Sequence, residues 1–243
     1  MSVVSKKNQN FPKTGEKPLI IFDWDDTLFC THWIRNLDDG LRFENCNRNG
    51  RLDLLEPRIV KELEQYYKSL SELLQLATTL AQVVIVTNAE SDWIKHCVTQ
   101  YIKAIAPLIK DIPVISARDN FDDLTCSPDK WKLATFRKLI TNDSISITKP
   151  FHVISIGDSN YERQALWTSV LQSTTSYMDM EEFKTCTTIQ SSCVNPIYRA
   201  KSIKLRQLPT LKIIIQQLDM LKDCLDYIVS YDDELDIEVD KNH

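Results

Sequence analysis

Residues 19–29 read Leu-Ile-Ile-Phe-Asp-Trp-Asp-Asp-Thr-Leu-Phe, an apolar run behind Pro18 that stops abruptly in three acidic residues. Four large apolar side chains in succession predict a strand buried on both faces, which is the habit of parallel sheets. Sheets of that kind bind ligands in the crevice beyond the carboxyl ends of their strands, where Asp23 and Asp25 fall. Side chains alternate along a strand, so these two carboxylates are expected to point the same way until the chain turns. Paired carboxylates in one crevice repel each other unless a cation intervenes, and a hard ion such as Mg²⁺ is the expected one. Asp26 is expected to shape the turn.

The rest of the chain repeats the pattern. A helix is predicted over 56–80, with Pro57 in its first turn and apolar residues at helical spacing. A second buried strand, 83–86, ends in Thr87 and Asn88, and Ser91 stands where it would cap a helix reaching Ile102. Residues 112–116 read as a third strand. A helix is expected from Ser127-Pro128-Asp129 to Ile140, carrying Lys130 and Lys132, and 151–156 as a fourth strand ending in Gly157-Asp158-Ser159-Asn160-Tyr161-Glu162. A helix over 161–171 follows, then a Ser/Thr-rich stretch in which strands near 185–189 and 203–206 are expected. A last helix over 209–229 carries an apolar seam suited to packing on its own domain, with a homo-oligomer through that helix as the alternative. Alternating strand and helix implies an α/β fold: a Rossmann-like, doubly wound parallel sheet. The organisation expected is a loose lead-in over 1–17, one domain over 18–230 and an acidic, solubilising tail over 231–243.

Composition narrows the function classes. The 34 acidic residues outnumber the 29 basic ones, and no Lys/Arg stripe stands out, so nucleic acid is not an expected partner. Four glycines are too few for a Gly-rich phosphate loop, and the four histidines form no cluster suited to a metal. Seven cysteines, scattered and with no Cys-x-x-Cys pair, suit reduced thiols. The polar 1–17 stretch lacks the apolar segment of a signal peptide, and no run is long enough to cross a bilayer, so a cytoplasmic protein without a membrane partner is expected.

Three strands thus end in polar residues, Asp23/Asp25, Thr87/Asn88 and Asp158/Glu162, and in a parallel sheet all three ends share one rim. At this point the chain resembles the haloacid dehalogenase-like superfamily of phosphotransferases, over about 19–171 and in the family's order. Asp23-Trp-Asp25-Asp-Thr27 matches the Asp-x-Asp-x-Thr motif, Thr87 the strand-end hydroxyl, Lys132 or Lys130 the helical lysine, and Gly157-Asp158-Ser159 with Glu162 the acidic turn. The resemblance implies a Mg²⁺-dependent phosphatase. Asp23 would be the nucleophile and form an aspartyl-phosphate; Asp25 would be the general acid and base. Thr87, Asn88 and the lysine would hold the phosphate, Lys132 being favoured for its place after Trp131. Mg²⁺ would be held by Asp23, the Asp25 carbonyl and Asp158, with Glu162 acting directly or through water.

Family members acting on small metabolites usually carry a large cap. Here residues 30–55, which read as a hairpin or flap with a turn at Asn49-Gly50, are too few for one. By this resemblance, an open site implies a macromolecular or bulky phosphorylated substrate. The alternatives are transfer of the phosphoryl group to a second small substrate, as in a phosphotransferase or phosphomutase, and a non-enzymatic binding or regulatory module using the C-terminal helix.

Overall fold

In the computed structural model, residues 17–36, 57–121, 127–141, 152–175 and 198–239 are described. Six strands, β1 (Leu19–Phe22), β2 (Gln82–Thr87), β3 (Val114–Ser116), β4 (His152–Gly157), β5 (Arg199–Lys204) and β6 (Leu235–Glu238), form one sheet in the order β3-β2-β1-β4-β5-β6. Every adjacent pair is parallel. The helices, numbered for this structure, are α1 (Thr31–Arg35), α2 (Pro57–Leu80), α3 (Ser91–Gln100), α4 (Ala106–Lys110), α5 (Ala117–Phe121), α6 (Pro128–Thr141), α7 (Asn160–Thr175) and α8 (Leu211–Ser230). The fold is α/β, a Rossmann-like, doubly wound parallel sheet with helices on both faces.

Pleating divides β1 between two cores. Ile20 and Phe22 pack with Leu70 of α2 and Leu218 of α8 on one face, while Leu19 and Ile21 pack with Phe136 of α6 and Leu166 of α7 on the other. All four are at most 1% exposed, and burying each such side chain contributes roughly 1.5–3 kcal/mol. The central strand is therefore apolar throughout because water reaches neither side.

One connection breaks the usual hand. From β4 the chain moves outward to β5 through α7 on one face, then outward again to β6 through α8 on the other face. The same direction of travel with the helix on opposite faces gives the two crossovers opposite hands, against the strong preference for a single hand. What holds α8 on its face is its apolar seam: Leu211, Ile214, Leu218, Leu221, Leu225 and Ile228 are all buried within the chain, against α2 and the sheet. The seam packs on its own domain, as expected, and α8 shows Lys212, Gln216, Asp223 and Asp226 to solvent. At its C-terminus the orphan carbonyls of Ile228 and Val229 accept from the Lys201 ammonium of β5, at 2.5 and 3.1 Å. Burial lowers the pKa of that lysine to about 8.

Several expectations need correction. Residues 235–238 are not a loose tail. They are edge strand β6, paired with β5 and alternating in character: Leu235 packs on the α8 face, while Asp236 and Glu238 meet Arg163 of α7. The strand expected over 203–206 lies earlier, at Arg199–Lys204, because Lys201 has a buried partner in the α8 carbonyls. Other bounds shift by a few residues: β3 begins at Val114, α3 ends at Gln100 and α7 runs on to Thr175. The cap of α3 is Glu90; Ser91 is the first helical residue and donates to Asp119 instead. The expected strand at 185–189, most of the flap and the lead-in lie outside the described residues.

Candidate active site

The sheet order reverses between β1 and β4, and at such a switch point the loops leaving the two strands part to form a crevice. Asp23 is fixed at its edge. Its backbone N–H still donates to the Ile156 carbonyl of β4 at 2.9 Å, so the β1–β4 pairing continues one residue past the strand. The chain then turns tightly. The N–H groups of Leu28 and Phe29 donate to the Trp24 carbonyl at 3.0 and 2.9 Å, and Asp26 sits at φ 56°, a left-handed conformation that Asp tolerates better than most residues. The Asp26 carboxylate accepts from the His32 N–H at the start of α1, and Tyr66 of α2 donates to the Leu28 carbonyl at 2.6 Å. Asp26 is accordingly a turn residue, as expected.

The turn separates Asp23 from Asp25. Asp23 faces Lys132, Asp158 and Glu162, whereas Asp25 is held on the other side by Thr31, Thr87 and Trp93. Of the two candidate lysines, Lys132, 1% exposed, is the one that reaches this cluster: its ammonium donates to Asp23, to the Val86 carbonyl at 2.9 Å and to Glu162 at 2.8 Å. Lys130 is exposed. Burial would depress the lysine's pKa, but the two carboxylates outweigh it and keep the ammonium charged. Glu162 reaches back over the acidic turn, its other oxygen accepting from the Ser159 N–H and hydroxyl at 3.1 and 2.5 Å. Only glycine allows this path, since a β-carbon at Gly157 would lie 2.6 Å from Glu162 Cγ.

Charge in this pocket does not balance. Donor atoms of Asp23, Asp158 and Glu162 all lie within 4.8 Å of one another, and one ammonium faces the three carboxyls. Among the described residues no ion pair reaches Asp158; burial, then the neighbouring Glu162 and Asp26, push its carboxyl up to about 7. Asp23 is also raised, chiefly by burial, with Glu162 and Asp158 adding to it against Lys132. Glu162 is lowered, because Lys132 and Ser159 overcome the opposing effect of burial. An all-oxygen donor set with surplus negative charge, at a spacing one ion can bridge, fits a hard divalent cation.

Asp25 sits in a different field. Its Oδ1 accepts from the Thr31 hydroxyl at 2.5 Å and from the Trp93 indole at 2.9 Å; its Oδ2 accepts from Thr87 at the longer distance of 3.3 Å. Thr87 in turn accepts from the Ala89 N–H at 2.9 Å. Asn88 points elsewhere: its amide donates to the Pro128 carbonyl at 3.2 Å, tying the end of β2 to the start of the helix that carries Lys132. Thr31 and Trp93 were not among the residues singled out in sequence, where Trp93 reads as one more apolar position of α3.

The cysteines among the described residues take no part. Cys30 and Cys97 are buried and free, and burial raises both thiols, Cys30 to about 12. No helix among the described residues is long and apolar enough to cross a membrane. In comparisons with known proteins, no family model, no curated protein and no solved structure matches the chain.

Proposed function

We propose that the chain is a Mg²⁺-dependent phosphatase of the haloacid dehalogenase-like kind, hydrolysing a phosphomonoester through Asp23. The observation that carries this reading is the separation of the two motif carboxylates by one tight turn. Asp23 lies with a buried ammonium and two further carboxyls, and Asp25 lies apart with hydrogen-bond donors. A structural turn needs no such division, whereas covalent phosphoryl transfer needs a nucleophile and a proton carrier in different surroundings.

Asp23, Asp158 and Glu162, with the Asp25 backbone carbonyl, would hold the Mg²⁺, which when bound offsets negative charge on the phosphoryl group and on the carboxyls around it. The chain's own groups do the rest. A carboxylate oxygen of Asp23 forms a bond to phosphorus as the ester P–O bond breaks, and the departing oxygen takes the proton of Asp25. Water then attacks the phosphorus, giving its proton back to Asp25, and breakage of the acyl-phosphate P–O bond restores Asp23 and releases inorganic phosphate. Lys132 neutralises the site, and Thr87 turns its hydroxyl from Asp25 to a phosphoryl oxygen. The short span between β1 and α2 favours a bulky phosphorylated substrate; a phosphotransferase would share every residue and differ in its acceptor.

Turnover of p-nitrophenyl phosphate with Mg²⁺, measured beside Asp23→Asn, tests the reading. Activity is expected in the wild type and should fall by at least about 10³-fold in the variant. Equal turnover by the two proteins would overturn the mechanism.

A further inference from the structure

We infer that Trp93 is a positioning residue for the proton carrier: its indole N–H, with the Thr31 hydroxyl, fixes Oδ1 of Asp25 as an acceptor and leaves Oδ2 as the oxygen that delivers the proton. The inference rests on the phosphatase reading and names the residue that makes its acid step efficient on unactivated esters.

An indole nitrogen can donate a hydrogen bond but never accept one. While Trp93 donates to Oδ1 at 2.9 Å, a proton on that oxygen would oppose it, so the proton of a neutral Asp25 belongs on Oδ2. The partner of Oδ2 is Thr87, at 3.3 Å the longest of the three contacts, and Thr87 comes from the strand end that also faces the site. Two donors on one oxygen also stop rotation of the carboxyl group, which holds the second oxygen in one direction.

The ring of Trp93 is held by its neighbours. One face stacks on His96, with centroids 5.8 Å apart and an interplanar angle of 17°. The Arg35 guanidinium lies over the ring at 5.6 Å, and Phe29 meets it in a T-shaped contact at 6.3 Å. A ring so engaged is poorly placed to stack on a substrate, and its free polar atom is spent on Asp25. The helix that carries it is anchored as well. The Ser91 N–H and hydroxyl donate to Asp119 at 2.9 and 2.5 Å, and Ser116 at the end of β3 donates to the Ala89 carbonyl at 2.7 Å. The indole is thus aimed by a helix tied to the end of β3.

A leaving-group comparison separates this role from a structural one. p-Nitrophenolate departs as a stable anion and needs no proton, whereas the alkoxide of glycerol 2-phosphate does. kcat/KM reports events up to formation of the aspartyl-phosphate, so it isolates the acid step. In Trp93→Phe, and in the protein carrying benzothienylalanine at position 93 (which keeps the ring and removes the N–H), kcat/KM for glycerol 2-phosphate should fall about tenfold or more, and that for p-nitrophenyl phosphate by less than about threefold. Equal losses on the two esters, or no loss, would overturn the inference. The contact is read separately by the Trp93 indole ¹H–¹⁵N resonance, assigned by its disappearance in Trp93→Phe. It should move upfield in Asp25→Ala, and an unmoved resonance would also overturn the inference. A wild-type protein that hydrolyses neither ester while its resonance still responds to Asp25 would instead show that the phosphatase reading has failed, taking this role with it.

Discussion

At the scale of residues, Lys132 is the most consequential side chain outside the two motif aspartates. It comes from a helix 109 positions along the chain from Asp23 and ends wholly enclosed between two carboxylates and a strand-end carbonyl. Removing it strands buried charge, so Lys132→Met should destabilise the metal-free protein by about 3 kcal/mol, and Mg²⁺ should restore part of the loss; urea unfolding with and without the ion measures both. An unchanged midpoint would mean that the carboxyls are already neutral. The carboxylates and the lysine were legible in sequence because apolar strands that end in polar residues bring those ends to one rim of a parallel sheet, and a lysine-bearing helix leads into the last of them. Trp93 and Thr31 were not. An indole on an amphipathic helix reads as packing, and only the turn at 24–29, which swings Asp25 away from Asp23, reveals that the indole has an acceptor to meet.

Among the elements, the buried strands β1, β2 and β4 and the helices α2, α3 and α6 follow directly from apolar runs and helical spacing, since each is flanked by core on at least one face, whereas the five-residue helices α1, α4 and α5 are too short to show such a pattern. Strands β5 and β6 hid behind charge. Arg199, Lys201 and Lys204 make β5 look like loop, yet Lys201 is enclosed and caps α8, and Lys204 reaches Glu238 at 2.9 Å. In β6 the acidic residues alternate with Leu235 and Ile237, and their cationic partner Arg163 lies more than seventy positions away. A partner that distant cannot be read from the strand itself. Exposed ion pairs of this sort contribute at most about 1 kcal/mol each, so β6 is held mainly by its backbone pairing and by Leu235 and Val239. Deleting 233–243 should therefore lower stability by about 2 kcal/mol while leaving turnover of p-nitrophenyl phosphate intact, as thermal denaturation and assay would record. Loss of turnover would place the edge strand closer to the chemistry than the sheet order allows.

For the whole molecule, the site and the fold pull against each other. Asp158 titrates at about 7 in the folded chain against 3.8 as its ordinary value, so between those limits the native state holds a proton that the unfolded state has released. The unfolded state binding fewer protons means that stability falls as pH rises through this window, and Asp23 adds in the same sense. Without metal, these two groups should raise the midpoint of thermal unfolding near about pH 5 relative to about pH 8, against the opposite contribution of His152, whose pKa burial lowers. On the proposed reading Mg²⁺ would displace those protons, so its stabilising effect should be small near about pH 5 and large near about pH 8. A metal effect independent of pH would contradict the assignment of Asp158 as a ligand. In the proposed mechanism Asp23 itself takes the phosphoryl group. Rapid acid quenching during turnover, followed by peptide mass spectrometry, reads this out. One added phosphoryl group is expected on the peptide spanning 19–29, localised to Asp23 and absent from Asp23→Asn. A phosphoryl group found on any other residue, or none in a protein that is turning over, would contradict it.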